Sequence, residues 1–593
     1  MDEGSSTPNI SLSRKHPEDK YNLRTKAWEH AYQLSVQLSE KLKQGVTYQK
    51  LVNKIGSKYV DSLIKKELFQ VLVPFCREYA RRMEFKRLGN PSWKNPILLQ
   101  DPVICNILKE LSSESGVVIE GPCLKQLLLH NFVNIFFRIA EYLLSYVSIL
   151  RLRRSSTPAK IGVDLSEGLP TGQKRSEFNW YPHTKEDMKK YCLFFVNKDK
   201  SALNDDKERE LLVNLLNSGV SVVSTDPVIC KIARTHKVYI PRHLRPLVPI
   251  FSIRAERWLQ YKYFGYVTLF VFWRKFFKKI GIKVLMIASA GVDSVLQCAA
   301  LESLAGLSVC RQRSVFPIYS GLGFHPANLG LTWNQDTVQY WREAHNHNEC
   351  CIPIGHSYLD RSDYFQNDSI SANIRHDFEQ HGIDFIIAFF DTNTGPDFDF
   401  TDESMSELVS RLARFVFEIP NMGLIIKGKH REDIKGFSDQ VILAKLVEQK
   451  RLRFYTKNIL PNLISQSADI TIGSALSSAA WEANCRGQRA IHYYPNCIEN
   501  NFIYEKGHNR LIFDNLENMI AALKDLFEHR ESSNLGLAGD LIQSFDYFHD
   551  GLAPKRMARI MEHALNSDIS NRADFYAWLI KEFELNGLLE ENE

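Results

Sequence analysis

The residues best suited to chemistry gather where short β-rich runs end. In the stretch 468–495, ADITIGSALSSAAWEANCRGQRAIHYYP, the run Ile470-Thr471-Ile472 stops at Gly473-Ser474. A segment of helical composition follows through Trp481-Glu482-Ala483, breaks at Arg486-Gly487, and gives way to Ala490-Ile491-His492-Tyr493-Tyr494. Strand, glycine turn, helix and strand make one βαβ unit. Gly473 allows close backbone approach, and Ser474, Ser477 and Ser478 supply hydroxyls at the helix start. Unpaired N–H groups and the positive end of the helix dipole make such a start attractive to an anion. Glu482, further along the same helix, is a carboxylate suited to vicinal ribose hydroxyls. The plainer reading is an ordinary crossover whose serines cap the helix. A second cluster closes the apolar run Leu424-Ile425-Ile426: Lys427, Lys429, His430 and Arg431 crowd its end. Arg can grip phosphate in two-pronged fashion and Lys as a point charge; the alternative is a solvated loop of mixed charge.

The order "aspartate, apolar run, Gly-Ser, helix with Glu-Ala, Gly, strand", met by Asp469, Gly473, Ser474, Ser477, Ser478, Glu482, Ala483 and Gly487, resembles the nucleotide-binding unit of GT-B glycosyltransferases. The resemblance is to the bacterial enzymes of surface-polysaccharide (capsule and lipopolysaccharide) biosynthesis, and it spans about residues 100–565. It implies two Rossmann-like domains facing a cleft and a nucleotide-sugar donor. The basic run resembles the family's Lys-x-His-Pro element but departs from it, with Gly428 spacing two lysines and Arg431 in place of the proline. Gln312, in Cys310-Arg311-Gln312-Arg313-Ser314, resembles an element bordering the cleft, and Gly355-His356 a loop passing the donor phosphates. The expected donor-binding set is therefore Gln312, Gly355, His356, Lys427, Lys429, His430, Arg431, Gly473, Ser474, Ser477, Ser478 and Glu482.

Sugar transfer with inversion needs a general base beside the acceptor hydroxyl. The first candidates are Asp164 and Glu167 in VDLSEG, a Gly-flanked loop after Ile161-Gly162-Val163; Glu120, Asp226 and Asp293 come next, and any of them could be a helix cap instead. His345 and His347 lack a third ligand at sensible spacing, and Asp397-Phe398-Asp399 sits in a polar loop, so no metal and no cofactor is expected. Within the same fold, a sugar-nucleotide epimerase, a glycerophosphate-polymer transferase and a non-catalytic nucleotide-binding module are the competing readings.

These residues need a scaffold, and 593 residues are enough for several cores. The sequence predicts an α/β protein: a Ser/Pro-rich leader (1–20), a helical extension (21–95), an N-terminal Rossmann-like acceptor domain (96–345), a C-terminal Rossmann-like donor domain (346–530) and C-terminal helices (531–593). Runs 117–119, 161–163, 192–196, 220–224, 284–288 and 307–310 form the first block of strands, and 351–354, 385–390, 423–427, 470–472, 491–494 and 511–512 the second. The helix in Asp546–Leu565 should pack back on the first domain. Composition is that of a water-soluble globular chain, 44% hydrophobic and 24% charged; a net charge of +5 does not point to nucleic acid. Eleven scattered cysteines without CxxC spacing argue for reduced thiols and a cytoplasmic setting. Two apolar stretches, Asn131–Leu152 and Tyr261–Phe277, are interrupted or followed by Arg and Lys. Neither reads as a membrane span, but either could lie on the inner face of a membrane, peripheral and near a lipid-linked glycan acceptor; the plainer reading of each is a buried helix with a basic end.

Overall fold

The computed structural model describes residues 23–87, 97–98, 119–120, 143–150, 160–164, 179–196, 206–217, 220–224, 255–287, 292–312, 326–343, 347–359, 369–394, 400–429, 433, 436–456, 459–495 and 502–585. The leader, Glu167, Asp226, the Asp397-Phe398-Asp399 run, His430 and Arg431 lie outside these residues.

The helical extension is three helices, α1 (Leu23–Leu42), α2 (Val46–Ile55) and α3 (Ser57–Arg87). Strong helix formers and the lack of a Gly/Pro cluster favour them. Gly45 is the N-cap of α2, and Gly56, at φ 90°, ends it. Their buried faces join one core with the long helix Ala255–Ile280 and the helix Val292–Glu302. Next come two short parallel strands, β1 (Ile97–Leu98) and β2 (Ile119–Glu120), which among the described residues pair only with each other; this places the candidate base Glu120 outside the two large sheets.

The first large sheet holds seven parallel strands: β3 (Ile161–Asp164), β4 (Cys192–Val196), β5 (Ser221–Ser224), β6 (Val284–Ile287), β7 (Leu307–Arg311), β8 (Leu329–Thr332) and β9 (Cys350–Pro353). Their order is β5-β4-β3-β6-β7-β8-β9. The second holds six: β10 (Phe385–Phe390), β11 (Met422–Lys427), β12 (Leu452–Tyr455), β13 (Ile470–Ser474), β14 (Ala490–Tyr493) and β15 (Ile512–Phe513), ordered β12-β11-β10-β13-β14-β15. Both are α/β sheets of the doubly wound type, as the alternating pattern predicts. Strands β6, β7, β8, β10, β11 and β13 are buried throughout. They read as continuous apolar runs because helices cover both faces of a parallel sheet.

One strand corrects the sequence reading. Cys350–Pro353, expected to open the second block, pairs in parallel with β8 (Leu329↔Cys350, Thr332↔Pro353) and is the edge of the first sheet. Periodicity cannot say which sheet a strand joins; the helix Gln335–Glu343 is short, and the crossover it makes returns the chain beside β8. The C-terminal helix Ala553–Asn566, opened by Pro554 at its second position, packs its Met557, Ile560, Met561 and Ala564 face into the first sheet's core, as predicted. The helix Arg572–Glu582 adds Phe575, Leu579 and Ile580 to the same core.

The apolar stretch 261–277 is a core helix. Tyr266, Leu269, Phe270, Phe272, Trp273, Phe276 and Phe277 are all buried, with Arg274, Lys275 and Lys278 left on its exposed side. Among the described residues no helix is long and apolar enough to cross a membrane.

Candidate functional site

Each sheet has a point at which successive strands stop adding on one side and begin adding on the other, and ligands of such sheets sit beyond the strand ends there. In the second sheet this point lies between β10 and β13, paired from Ile387↔Ile470 to Phe390↔Gly473. The turn that the sequence singles out is therefore at the crevice. Ser474, the last residue of β13, is buried, and its hydroxyl donates to Phe390 O across the crevice at 2.8 Å. Ala475 follows at φ 53°, a left-handed conformation uncommon for a residue with a side chain. Its carbonyl accepts from His492 Nδ1 at 3.3 Å, and His492 sits opposite Gly473 on β14. That ring is fully buried, and burial pushes its pKa down to about 4, so it is neutral at pH 7.

Gly473 is required by close approach. A Cβ there would lie 2.8 Å from both Ser477 Cβ and Ala480 Cβ, so only glycine lets the helix start lean on the strand end. The helix is Ser478–Cys485, and its N-cap is Ser477, whose side chain makes no capping hydrogen bond. Glu482 is buried on this helix. Gly487, at φ 74°, terminates it.

The neighbouring strand ends bring in two more groups. The Lys427 ammonium, at the end of β11, is buried and donates to Thr456 O at 2.5 Å; burial lowers its pKa, and the charge of Asp391 acts in the opposite direction. Lys429 is exposed, and its backbone N–H is held by the Asp391 carboxylate. Asp391 follows β10, and its own N–H donates to Lys427 O at 3.2 Å. Lys427, Lys429, Asp391, Ser474, Ser477 and Ser478 thus belong to one sheet edge. Asp469, which opens the sequence motif, belongs to the opposite edge. It makes two contacts to Arg375 (3.1 and 3.2 Å) and accepts from Ile386 N at 2.7 Å, fastening β13 to β10 at their beginnings.

In the first sheet the reversal lies between β3 and β6, paired from Ile161↔Val284 to Val163↔Met286. Asp164 is the last residue of β3 and stands at this crevice; Asp293 lies in the first turn of the helix that follows β6. Gln312, at the end of β7, is buried, and its side-chain carbonyl accepts from Trp333 N at 2.8 Å. Gly355 is at φ 91°, where a Cβ would lie 2.8 Å from Asp546 Oδ1. His356 is fully buried, its ring 4.0 Å from that of Trp333, and its backbone N–H donates to Asp546 Oδ1 at 3.1 Å.

This second group includes residues the sequence did not single out. The Arg311 guanidinium is 1% exposed; it donates to Ser357 Oγ at 3.1 Å and to Tyr358 OH at 3.3 Å, and lies over the Tyr358 ring. Trp333 Nε1 donates to the same Ser357 Oγ. Asp546 accepts from both His356 N and His549 N; burial raises its pKa, and those two N–H groups act against the rise. The only sequence signal was Arg311 beside Gln312 at a strand end, since its partners lie about 45 residues on.

The two groups meet through the segment 541–552. Trp481, on the helix of the Ser-rich turn, donates from Nε1 to Phe545 O at 3.1 Å, and His549 Nε2 contacts Cys485 O at 2.8 Å. On the other side, Tyr547 N donates to Trp333 O and Asn334 Nδ2 to Ser544 O. Trp333, Leu359, Trp481, Phe545 and Leu541 share one apolar cluster. Among the described residues no group of three or more His, Cys, Asp or Glu could hold a metal ion.

No protein-family model and no curated protein matches this sequence. Solved structures similar to it include HepE from Anabaena in complex with UDP and glucose (TM-score 0.40, 12% identity, covering 69% of this chain and 100% of that one). They also include MnaA from S. aureus with UDP (0.39, 11%, 63% and 96%) and a glycosyltransferase from Rickettsia africae (0.36, 12%, 66% and 98%). These likenesses are distant, and the two-sheet architecture rests on the strand pairing itself.

Proposed function

We propose that this chain is a glycosyltransferase that moves a sugar from a nucleotide-sugar donor to a surface-glycan or glycolipid acceptor. The observation that carries the reading is the Gly473–Glu482 unit at the strand reversal of the second sheet. There a helix start whose N-cap hydroxyl makes no capping bond opens beside the ends of β10 and β11. In this reading the first N–H groups of the helix Ser478–Cys485 receive the donor diphosphate, beyond Ser477, whose own N–H is given to Ala475 O at 2.9 Å; Lys429, His430 and Arg431 neutralise it, and Glu482 holds the ribose. Lys427, turned to Thr456 O, supports the loop and adds charge from behind. Gln312, Gly355 and His356 shape the wall across from the helix.

A leaving diphosphate stabilised by a helix dipole and basic side chains needs no cation. Activity is therefore expected to survive EDTA; loss with EDTA and return with Mn²⁺ would contradict the reading. Asp164 or Glu167 serves as the base toward the acceptor hydroxyl, with Asp293 as the alternative at the same crevice. Replacing the true base with Ala should cut turnover by about 10²–10⁴-fold and leave nucleotide affinity unchanged.

The test is a thermal-shift panel of UDP, GDP, CMP and dTDP, followed by turnover of the sugar nucleotide whose base is selected. Sugar transfer or donor hydrolysis supports the reading. Interconversion of the donor sugar without its release identifies an epimerase, and a thermal shift with no turnover identifies a binding module.

A further inference from the structure

Of the two apolar stretches in the sequence, one is core, and the other contains a helix folded inside out. Residues 143–150 are helical. The face that packs inward carries Ser145, Ser148 and Ile149, with Ile149 joining the cluster of Trp273, Phe276 and Phe277. The outward face carries Leu143, Leu144, Tyr146, Val147 and Leu150, between 38% and 62% exposed. Positions 143, 144, 147 and 150 follow the i, i+1, i+4, i+7 spacing of a single helix face. A helix bound for water on that side would place its serines outward. This one does the reverse, and half of the ten large exposed apolar residues among those described fall in these eight positions. Exposed apolar residues scattered singly need no explanation, but a contiguous set marks a contact surface.

The charge around it identifies the contact. Lys279 Nζ donates to the Ile149 and Leu150 carbonyls at 2.6 and 2.9 Å, so the helix end is fastened to the basic end of the helix Ala255–Ile280. Lys275 Nζ stands 4.6 Å from the Tyr146 ring centre, beside the apolar face. Lys275 and Lys278 are exposed on that helix, whereas Arg274 Nε turns away to Ser303 Oγ at 3.1 Å. An apolar helix face bordered by cations suits an anionic bilayer surface: leucines enter the acyl boundary and lysines meet lipid phosphates.

We infer that residues 143–150, with Lys275 and Lys278, form a surface that docks this protein on anionic phospholipid membranes. The inference is independent of the proposed reaction. A bilayer fits better than a protein partner because the apolar side chains and the cations share one surface, as an interface with acyl chains and lipid phosphates requires.

The test is co-sedimentation of the full chain with phosphatidylcholine vesicles, with and without phosphatidylglycerol. The wild type should pellet with the anionic vesicles and be released by salt. The variant L143S/L150S changes two exposed residues and should bind at least about tenfold more weakly, and K275E/K278E more weakly by a similar factor. Circular dichroism and melting temperature unchanged from wild type show that each variant is folded. A wild type that stays in the supernatant with both vesicle types overturns the inference, as does L143S/L150S pelleting like wild type. A dimer in light scattering that L143S/L150S dissolves, with no vesicle binding, assigns the face to a second copy of the chain and overturns it too.

Discussion

At pH 7 the His492 imidazole is neutral and holds Ala475 O from inside the sheet, the arrangement that fixes the turn after Gly473. Its folded pKa, about 4, lies below the ordinary 6.5. Stability from this group is complete above about pH 6.5 and is lost as pH falls from there toward 4, since the unfolded chain takes up the proton first. The full loss is on the order of 3 kcal/mol. Denaturant melts of wild type and H492N between pH 7 and 4.5 check this: stability should fall more steeply with falling pH in the first than in the second, by about the His492 contribution. Two further residues test the pocket. Gly473→Ala introduces a Cβ where Ser477 and Ala480 already stand, and should abolish the nucleotide-induced thermal shift at a cost of about 1–3 kcal/mol in stability. Glu482→Ala should weaken nucleotide binding by about 1.5–3 kcal/mol, read by titration calorimetry, if its carboxylate holds the ribose. Unchanged affinity for every nucleotide would remove Glu482 from the site.

Among the elements, the α3 helix and the segment 541–552 show how polar groups fasten one unit to another. Asp61 of α3 is buried between Lys65 (2.6 Å), His347 (2.7 Å) and Ser39 (3.2 Å). Burial alone would raise this carboxyl, but hydrogen bonds from His347 and Lys65 outweigh it and hold its pKa below the usual range. Its stabilisation is therefore present above the ordinary carboxylate value of 3.8 and disappears as pH drops beneath it. Asp61→Asn should cost about 3–5 kcal/mol by leaving the buried Lys65 ammonium without its partner, measured by chemical denaturation at pH 7. Asp546 behaves in the opposite sense. Its pKa is raised, so ionisation costs stability once pH exceeds the carboxylate range. Asn keeps an oxygen for His356 N and His549 N, so Asp546→Asn should melt higher than wild type at pH 8, with the difference shrinking as pH falls through that range. Most strands and the C-terminal helix were legible in sequence because buried parallel strands are written as unbroken apolar runs and a surface helix as a periodic stripe; β8 and the partly buried β12 were not singled out. The Gly473 turn was legible because glycine and serine carry local backbone meaning. The side on which β9 pairs, and the cluster of Arg311, Trp333, Ser357 and Asp546, depend on contacts across up to 190 residues, which no local pattern records.

For the molecule as a whole, the strand reversals of the two sheets are joined through one apolar cluster and a strap at 541–552 held by side-chain and backbone hydrogen bonds. Phe545 is central to it: fully buried, its ring 4.2 Å from that of Trp481 and its carbonyl bonded to the same side chain. Phe545→Ala should remove about 3–5 kcal/mol and split a single calorimetric transition into two, because the two sheets then unfold with less mutual support. A single transition of unchanged cooperativity would show that the strap is dispensable.

The packing of the helices Ala553–Asn566 and Arg572–Glu582 into the core beneath β3, β6, β7, β8 and β9 also sets a clock on biosynthesis. The first sheet's last strand ends at Pro353, yet the residues that seal its underside run on to Leu585. At translation rates of roughly 5–20 residues per second the nascent sheet waits roughly 12–46 seconds with that face open. During that interval the second sheet, whose strands and covering helices all precede residue 530, can complete itself. The half made first is therefore finished last. Ribosome-stalled chains in which residue 540 has just cleared the ribosome should be protease-resistant in the second sheet and sensitive in the first, and chains extended until Leu585 clears it should be resistant in both.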